Sequence, residues 1–268
     1  MDWKAPPLDP AKRWLNKSLE LAINLFCSWQ CHACDAFSQF PTISIVRRGT
    51  MTISQIEHFV AEMKEANAYF GRIRILGGEP AINPKLPQIA ELLHRELVQK
   101  GHVGRLEIIT NGDHMEKLTP AVRQYLEKVR VSGEAAKQAA HVANLVHSPK
   151  SLGYIGKQCG QPGHCGWALN YWGYYPCSSG AGLSRFHDWQ NWQRLKLPVS
   201  LKETWPDLVD LCQHCYHALR PEDKIKCGTG MQPGQAELNK PSPENQALLD
   251  SWLAGRQPTL AVYGGGTA

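Results

Sequence analysis

The sequence predicts an α/β fold: a parallel sheet with helices outside it, open or curled into a partial barrel, followed by a small cysteine-rich extension with a β-hairpin. Three observations predict this. Over the first 150 residues, short apolar strands alternate with amphipathic helices, and such alternation builds parallel sheets. The chain has 268 residues, 43% of them hydrophobic and 20% charged, which is enough to bury a core and excludes a disordered chain. Finally, the nine cysteines fall into two groups, Cys27, Cys31 and Cys34, then Cys159, Cys165, Cys177, Cys212, Cys215 and Cys227.

Taken in order, Leu19–Phe26 (LELAINLF) reads as a buried strand that ends where the first cysteine begins. Ser54 and Glu57 have capping-box spacing, opening a helix whose apolar face is Ile56, Phe59, Val60 and Met63. Arg72–Leu76 alternates as a strand and runs into Gly77, Gly78, Glu79 and Pro80. A helix over Lys85–Lys100 puts Leu86, Ile89, Leu93 and Leu97 on one stripe, with Gly101 as its stop. Leu106–Thr110 is the next strand, closed by Asn111 and Gly112. Thr119-Pro120 caps another helix, and Val129–Ser132 is a further strand. Beyond it, an Ala-rich helical stretch (Glu134–His147) leads to Cys159. Trp167–Cys177 reads as a tight hairpin turning near Gly173. Pro206 starts a helix that carries Cys212 and Cys215 on one face, and a last short helix covers Glu244–Gly255. Residues 1–150 thus read as the sheet domain, 151–232 as the cysteine-rich domain, and 233–268 as a tail.

The net charge of +5 is mild and scattered, so it does not by itself argue for nucleic-acid binding. No window approaches an uncharged apolar membrane span, and the first residues lack the apolar run of a secretory signal. The expectation is a cytoplasmic protein that does not enter a membrane. In such a compartment, clustered cysteines mean metal more often than disulfides.

Cys27-x3-Cys31-x2-Cys34 begins at the C-terminal end of the first strand, where open α/β sheets and barrels carry their active sites. Three thiolates within eight residues can hold three corners of a [4Fe–4S] cluster and leave the fourth iron open. The competing reading is a zinc knuckle completed by His32 or a distant group. Gly77 and Gly78 let the backbone approach a ligand closely, and Glu79 offers a carboxylate to an ammonium group. A plain strand-to-helix turn would explain the glycines equally well. A CxxxCxxC after one strand together with a GGEP after the next resembles the radical S-adenosylmethionine (SAM) superfamily, over roughly residues 19–132.

This resemblance implies a partial, truncated (β/α) radical SAM barrel. Cys27, Cys31 and Cys34 would hold the cluster whose open iron chelates SAM. Gly77, Gly78 and Glu79, followed by Pro80, would bind the amino group. Asn111 and Ser132 sit where residues that bind the ribose or carboxylate usually lie. The implied reaction is reductive cleavage of SAM to a 5′-deoxyadenosyl radical, which abstracts a hydrogen atom from substrate, with electrons from a donor such as flavodoxin or ferredoxin. Two features depart from the family pattern. Ala33 stands where an aromatic residue usually precedes the third cysteine, with Phe37 as a substitute. Only 26 residues separate Ser132 from Cys159, too few for a full six-stranded barrel.

The late cysteines flank the hairpin and end in a CxxC-containing run, which resembles the twitch and SPASM extensions of radical SAM enzymes. By that resemblance, Cys159, Cys177, Cys212 and Cys215 would hold one auxiliary [4Fe–4S] cluster. Cys165 and Cys227 would be alternative ligands or a thiol that returns a hydrogen atom to substrate. A zinc site or inert buried thiols are the other readings. His164, His214 and His217 sit beside these cysteines. Asp113 and His114 are candidates for a catalytic acid or base, against a plain loop role. The aromatic residues Trp167, Tyr171, Trp172, Tyr174 and Tyr175 can wall a pocket or pack a core.

The leading expectation is an iron–sulfur, SAM-dependent oxidoreductase that oxidises or rearranges a small molecule or peptide with an auxiliary cluster's help. Only 18 residues precede the first strand, where peptide-recognising members often carry an extra domain, which favours a small molecule or a residue presented by another protein. A redox-neutral epimerase or isomerase, or an enzyme acting on a nucleoside or nucleic acid, is the alternative within the class. A non-catalytic zinc-binding module is the alternative outside it.

Overall fold

The computed structural model describes residues 9–29, 34, 38, 49–132, 162, 166–215 and 243–265. Its centre is β2 (Leu19–Asn24), buried along its whole length because strands pair with it on both sides. On one side β4 (Ile73–Gly77), β5 (Leu106–Thr110) and β6 (Lys128–Val131) follow in chain order, all parallel. On the other side β7 (Trp167–Asn170) is parallel to β2, and β8 (Gly173–Tyr175) returns antiparallel to it. The sheet order is β6-β5-β4-β2-β7-β8, an open sheet and not a closed barrel. Two short strands, β1 (Arg13–Asn16) and β3 (Ala68–Phe70), pair separately in parallel.

The helices follow from their apolar stripes. In α1 (Ile53–Glu65), Ile56, Phe59, Val60 and Met63 are buried, as the spacing predicts. The start of α1 differs from the Ser54–Glu57 expectation. Thr52 is the N-cap: its hydroxyl accepts from Gln55 N at 3.1 Å while Gln55 Oε1 accepts from Thr52 N at 2.9 Å. Both boxes fit the spacing rule, but Gln55 has a further task. Its amide donates to Tyr171 O and Tyr263 O, 2.9 Å each, fastening the hairpin turn and the chain's last described residues to the helix. The next helix begins as α2 (Leu86–Leu93) and widens into a π-helical turn, His94–Val98, before Gly101 ends it at φ +69°. Leu86, Ile89, Leu93 and Leu97 are all buried. Thr119 does precede a helix, but α3 (Pro120–Arg123) is a single turn.

The C-terminal elements contain what sequence reading missed. The segment Ser178–His187 is a helix, α4, although two glycines and three serines make it look like a loop. Cys177 caps it: Sγ accepts from Gly180 N at 3.2 Å. After α5 (Leu201–Thr204), the helix expected from Pro206 is α6 (Leu208–Cys212), with Asp207 as N-cap. It ends at Cys212, so Cys215 lies in the following turn, its N–H donating to Cys212 O at 3.0 Å, and the two cysteines do not share a helix face. The last helix, α7, covers Pro243–Leu253. The hairpin turns at Tyr171–Trp172, just before Gly173. The stretch Glu134–His147 and the expected boundaries at residues 150 and 232 lie outside the described residues. No helix among those described is long and apolar enough to cross a membrane.

Strand alternation divides the sheet into two faces. Leu19, Leu21, Ile23, Ile73, Ile75, Leu106 and Ile108 are buried in one core with the stripes of α1 and α2. The opposite face, read through the register, carries Glu20 beside Arg74 and Arg74 beside Glu107, with Ala22, Leu76 and Ile109 one step further along. Glu107 is fully buried and surrounded by Arg105 (2.7 Å), Arg130 (3.1 Å), Arg74 (3.6 Å) and Arg72 (3.8 Å). Burial pushes its carboxyl up, yet Arg105, Arg130 and Arg72 outweigh that and leave it below its ordinary value. Glu20 pairs with Arg74 at 3.3 Å and accepts from Ser178 Oγ; there burial prevails and the carboxyl is raised.

Two predictions test this architecture. Glu107→Gln leaves the arginines around a neutral amide and destabilises the fold by about 3 kcal/mol at pH 7. Glu107 is depressed, so its stabilising effect exists above the ordinary carboxylate range and is lost as pH falls through the folded value. The gap between variant and wild type in urea unfolding therefore narrows with acid; a gap constant with pH refutes the account. At Gly166, φ is +95° and a Cβ would stand 1.7 Å from Ser18 O, so Gly166→Ala should cost about 2–4 kcal/mol by parting β7 from β2. An unchanged thermal midpoint contradicts this.

Candidate functional site

The strands β2, β4, β5 and β6 end at the same edge, where open parallel sheets carry their sites. Each end contributes a segment: Leu25–Trp29, Gly78–Pro80, Asn111–Asp113 and Ser132.

The two glycines bring the first two segments together. Gly77 has φ +155°, and a Cβ there would lie 2.0 Å from Asn24 O; at Gly78 a Cβ would lie 2.2 Å from Phe26 O. Only glycine permits that approach, and the ladder then continues past the strand end. Gly78 N donates to Asn24 O at 2.8 Å and Glu79 N to Phe26 O at 2.9 Å. The close approach the glycines permit is therefore to the backbone leading to Cys27. Asn24, buried on the same strand, donates through Nδ2 to Phe26 O (2.9 Å) and Glu79 O (3.1 Å). Its Oδ1 has no hydrogen-bond partner among the described residues.

Glu79 is fully buried, and its carboxylate meets three donors. Oε1 accepts from Ala81 N and Thr110 Oγ1, each at 2.8 Å, and Oε2 accepts from Asn111 N at 2.6 Å. Pro80 opens the 3-10 turn Pro80–Ile82 that Glu79 caps. The carboxylate thus joins the end of β4 to the end of β5.

Asn111 carries the connection to the cysteine segment. Its Oδ1 accepts from Asp113 N at 2.9 Å, while Nδ2 donates to Ser28 Oγ at 3.1 Å and to Cys27 Sγ at 3.7 Å. Cys27 Sγ also accepts from Trp29 N at 3.4 Å, and Trp29 Nε1 donates to Asp113 Oδ2. Ser38 Oγ donates to Leu25 O behind the same segment. Ser132 turns inward, its Oγ donating to Thr110 O at 3.0 Å. His114 points elsewhere, with Nδ1 3.7 Å from Glu116. Cys27, Gly77, Gly78, Glu79, Asn111 and Asp113 are thus joined by contacts. Asp113 is exposed and His114 lies outside that network. Cys34 is half-buried; Cys31, Ala33 and Phe37 lie outside the described residues.

Sequence reading missed Asn24, Ser28, Trp29 and Thr110. Asn24 and Thr110 did leave a signal, each a polar residue at the C-terminal end of a strand whose preceding two residues are apolar.

Of the late cysteines, Cys177, Cys212 and Cys215 are described; Cys159, Cys165 and Cys227, with His164 and His217, are not. A Cβ at Gly180 would stand 2.8 Å from Leu211 Cδ2 and 3.3 Å from Cys177 Sγ, so both side chains lie against Gly180. Among the described residues, no three His, Cys, Asp or Glu side chains gather at one metal-binding point. Beside these cysteines His187 stacks on Trp189 (centroids 4.3 Å apart) and His214 meets Trp189 edge-on. Burial, then His214 and Arg256, push His187 down to about 4, so it is neutral at pH 7. Because β8 runs antiparallel to β7, Cys177 leaves the sheet at the end opposite Cys27, consistent with the contact of Ser178 to Glu20.

The donor set fits an iron–sulfur cluster and SAM. Cys27 Sγ receives two N–H groups, which favour a thiolate, and the buried Asn24 Oδ1 is an acceptor without a donor beside the Gly78–Glu79 backbone.

Residues 22–150 match the Radical SAM superfamily. No curated protein matches the chain. Among solved structures, BtrN in an open conformation is 16% identical with a TM-score of 0.41, covering 85% of this chain and 92% of that one. BtrN in complex with AdoMet and 2-DOIA is 14% identical with a TM-score of 0.43, covering 84% and 92%. SuiB of Streptococcus suis bound to precursor peptide SuiA is 15% identical with a TM-score of 0.30, covering 41% and 21%.

The Glu79 tie has a direct test. In Glu79→Gln either amide orientation sets an NH2 against a buried backbone N–H, of Ala81 or of Asn111. The variant should lose about 1–3 kcal/mol in urea unfolding; a wild-type midpoint means the carboxylate is not what joins the two strand ends.

Proposed function

From the match of residues 22–150 to the Radical SAM superfamily, we propose that the chain is a radical SAM enzyme that oxidises or rearranges a small molecule or peptide, using a cluster on Cys27, Cys31 and Cys34 and an auxiliary [4Fe–4S] cluster on Cys159, Cys177, Cys212 and Cys215. The bound cluster and SAM supply the chemistry: reductive cleavage of SAM to a 5′-deoxyadenosyl radical that takes a hydrogen atom from substrate. The protein's residues bind, orient and shield. Electrons come from flavodoxin or ferredoxin.

The observation that carries this reading is the joint between the Cys27 segment and the GGEP turn, made by Gly78 N to Asn24 O and Glu79 N to Phe26 O. It brings a thiol and a turn rich in backbone polar groups to one strand edge. There Asn24 Oδ1 is the acceptor for the SAM ammonium, beside the Gly78 and Glu79 backbone. Glu79 fixes the turn against β5, and Asn111 and Ser132 line the next strand ends. Below them Ala22, Leu76 and Ile109 give this second sheet face an apolar band, suited to keeping water from a radical. For the auxiliary cluster, support comes from the cysteine spacing.

Iron, sulfide and 5′-deoxyadenosine test the proposal. After anaerobic reconstitution the wild type should hold about eight irons, falling to about four in Cys27/Cys31/Cys34→Ala. Dithionite and SAM should yield 5′-deoxyadenosine from the wild type and none from the variant. Wild type with no iron refutes the whole reading. About four irons falling to none, with zinc retained, refutes the auxiliary cluster and favours a redox-neutral reaction.

A further inference from the structure

Asn111 sits where a contact to SAM is expected, yet its side chain is already committed inside the protein. The amide orientation follows from chemistry. The backbone N–H of Asp113 can only donate, so the atom 2.9 Å from it must be Oδ1. Nδ2 therefore faces Ser28 Oγ at 3.1 Å and Cys27 Sγ at 3.7 Å. Every part of this arrangement is held. The Asn111 backbone N–H is fixed by Glu79 Oε2 at 2.6 Å, and Asp113 is pinned by Trp29 Nε1. Trp29 N closes the circle by donating to the same sulfur at 3.4 Å. Asn111 is 8% exposed, so water competes little for its N–H.

We propose that Asn111 is a positioning residue for Cys27, and that its amide, donating to Sγ, sets the reduction potential of the cluster on the first three cysteines. This rests on the proposed function. The physical reason is charge. One-electron reduction adds negative charge to the cluster and its thiolates, and an N–H dipole aimed at a sulfur stabilises that state more than the oxidised one. With the donor fixed beforehand by Asp113 and Glu79, no reorganisation opposes the effect. Ser28 Oγ, 3.1 Å from Nδ2, can accept the amide's other N–H and so helps hold its orientation.

The experiment is a redox titration of the reconstituted protein without SAM, followed on the EPR signal that changes when SAM is later added. Asn111→Asp keeps the acceptor for Asp113 N but turns a carboxylate towards the sulfur. It should make reduction harder by on the order of tenfold, a fall of 59 mV for one electron, with iron per chain unchanged. Asn111→Ala removes the donor without adding a charge and should also lower the potential, so it decides the matter if Asn111→Asp fails to hold iron. Potentials unchanged in the iron-loaded variants, with only SAM affinity weakened in Asn111→Asp, overturn the proposal and make Asn111 a SAM contact. In that case the SAM-sensitive signal survives in the wild type and the enzyme reading stands. A wild type with no such signal overturns both.

Discussion

The buried carboxylate of Glu79 is the constraint on which the rest of the site depends. A fully buried carboxylate is costly unless its oxygens are met by donors, and here Ala81 N, Thr110 Oγ1 and Asn111 N meet them. Two of those donors belong to the next strand end, so satisfying the charge also fixes β5 against β4. The requirement runs backwards as well. Glu79 reaches this position only because Gly77 and Gly78 let the chain lie against Asn24–Phe26. It runs forwards through Asn111 to Ser28 and Cys27. Three strand ends thus become one hydrogen-bonded rim, and displacing Glu79, Thr110 or Asn111 leaves a buried donor or acceptor unmatched.

Beneath the rim, polarity changes in layers down the open face. Asn24 and Asn111 give way to Ala22, Leu76 and Ile109, and these to Glu20, Arg74 and Glu107. The lowest layer is a set of ion pairs between neighbouring strands, with Arg74 reaching both Glu20 and Glu107. A one-residue slip of any strand would carry these charges into the apolar core on the other face. The pairs therefore specify register more than they add stability. A register fixed low in the sheet fixes the rim above it, since the strands between are rigid.

Most of the sheet half was legible because its signals are local. Strand β2 and the stripes of α1 and α2 came from apolar periodicity, and the GGEP turn came from residue types with special backbone freedom. The failures have physical reasons too. β1 and β3 are three or four residues long, too short for any period to show. Helix α4 exists because Cys177 caps it and because small residues let it pack buried on nearly every side, a tertiary effect that overrides weak propensity. Two capping boxes two residues apart fit the start of α1, and contacts to Tyr171 and Tyr263, over a hundred residues away, select the one at Thr52. In the site, residue types announced Cys27, Gly77, Gly78 and Asn111. That the Glu79 carboxylate is spent inside the protein depends on Thr110 being opposite it, which no local pattern reveals.

The sheet also relates the two cysteine-bearing segments. Cys27 follows the end of β2, and Cys177 follows the end of β8, which runs the other way, so the two thiols leave the sheet at opposite ends. The four steps from Glu20, touched by Ser178, to Asn24 alone span about 13 Å at the rise of a strand. No single ligand atom can bridge groups so placed. A ligand that touched both segments would have to run along the face between them, over Ala22, Leu76 and Ile109. Strand β7 pairs directly with β2, so this separation is set by the register of Leu19–Leu21 against Trp167–Leu169 and not by a linker.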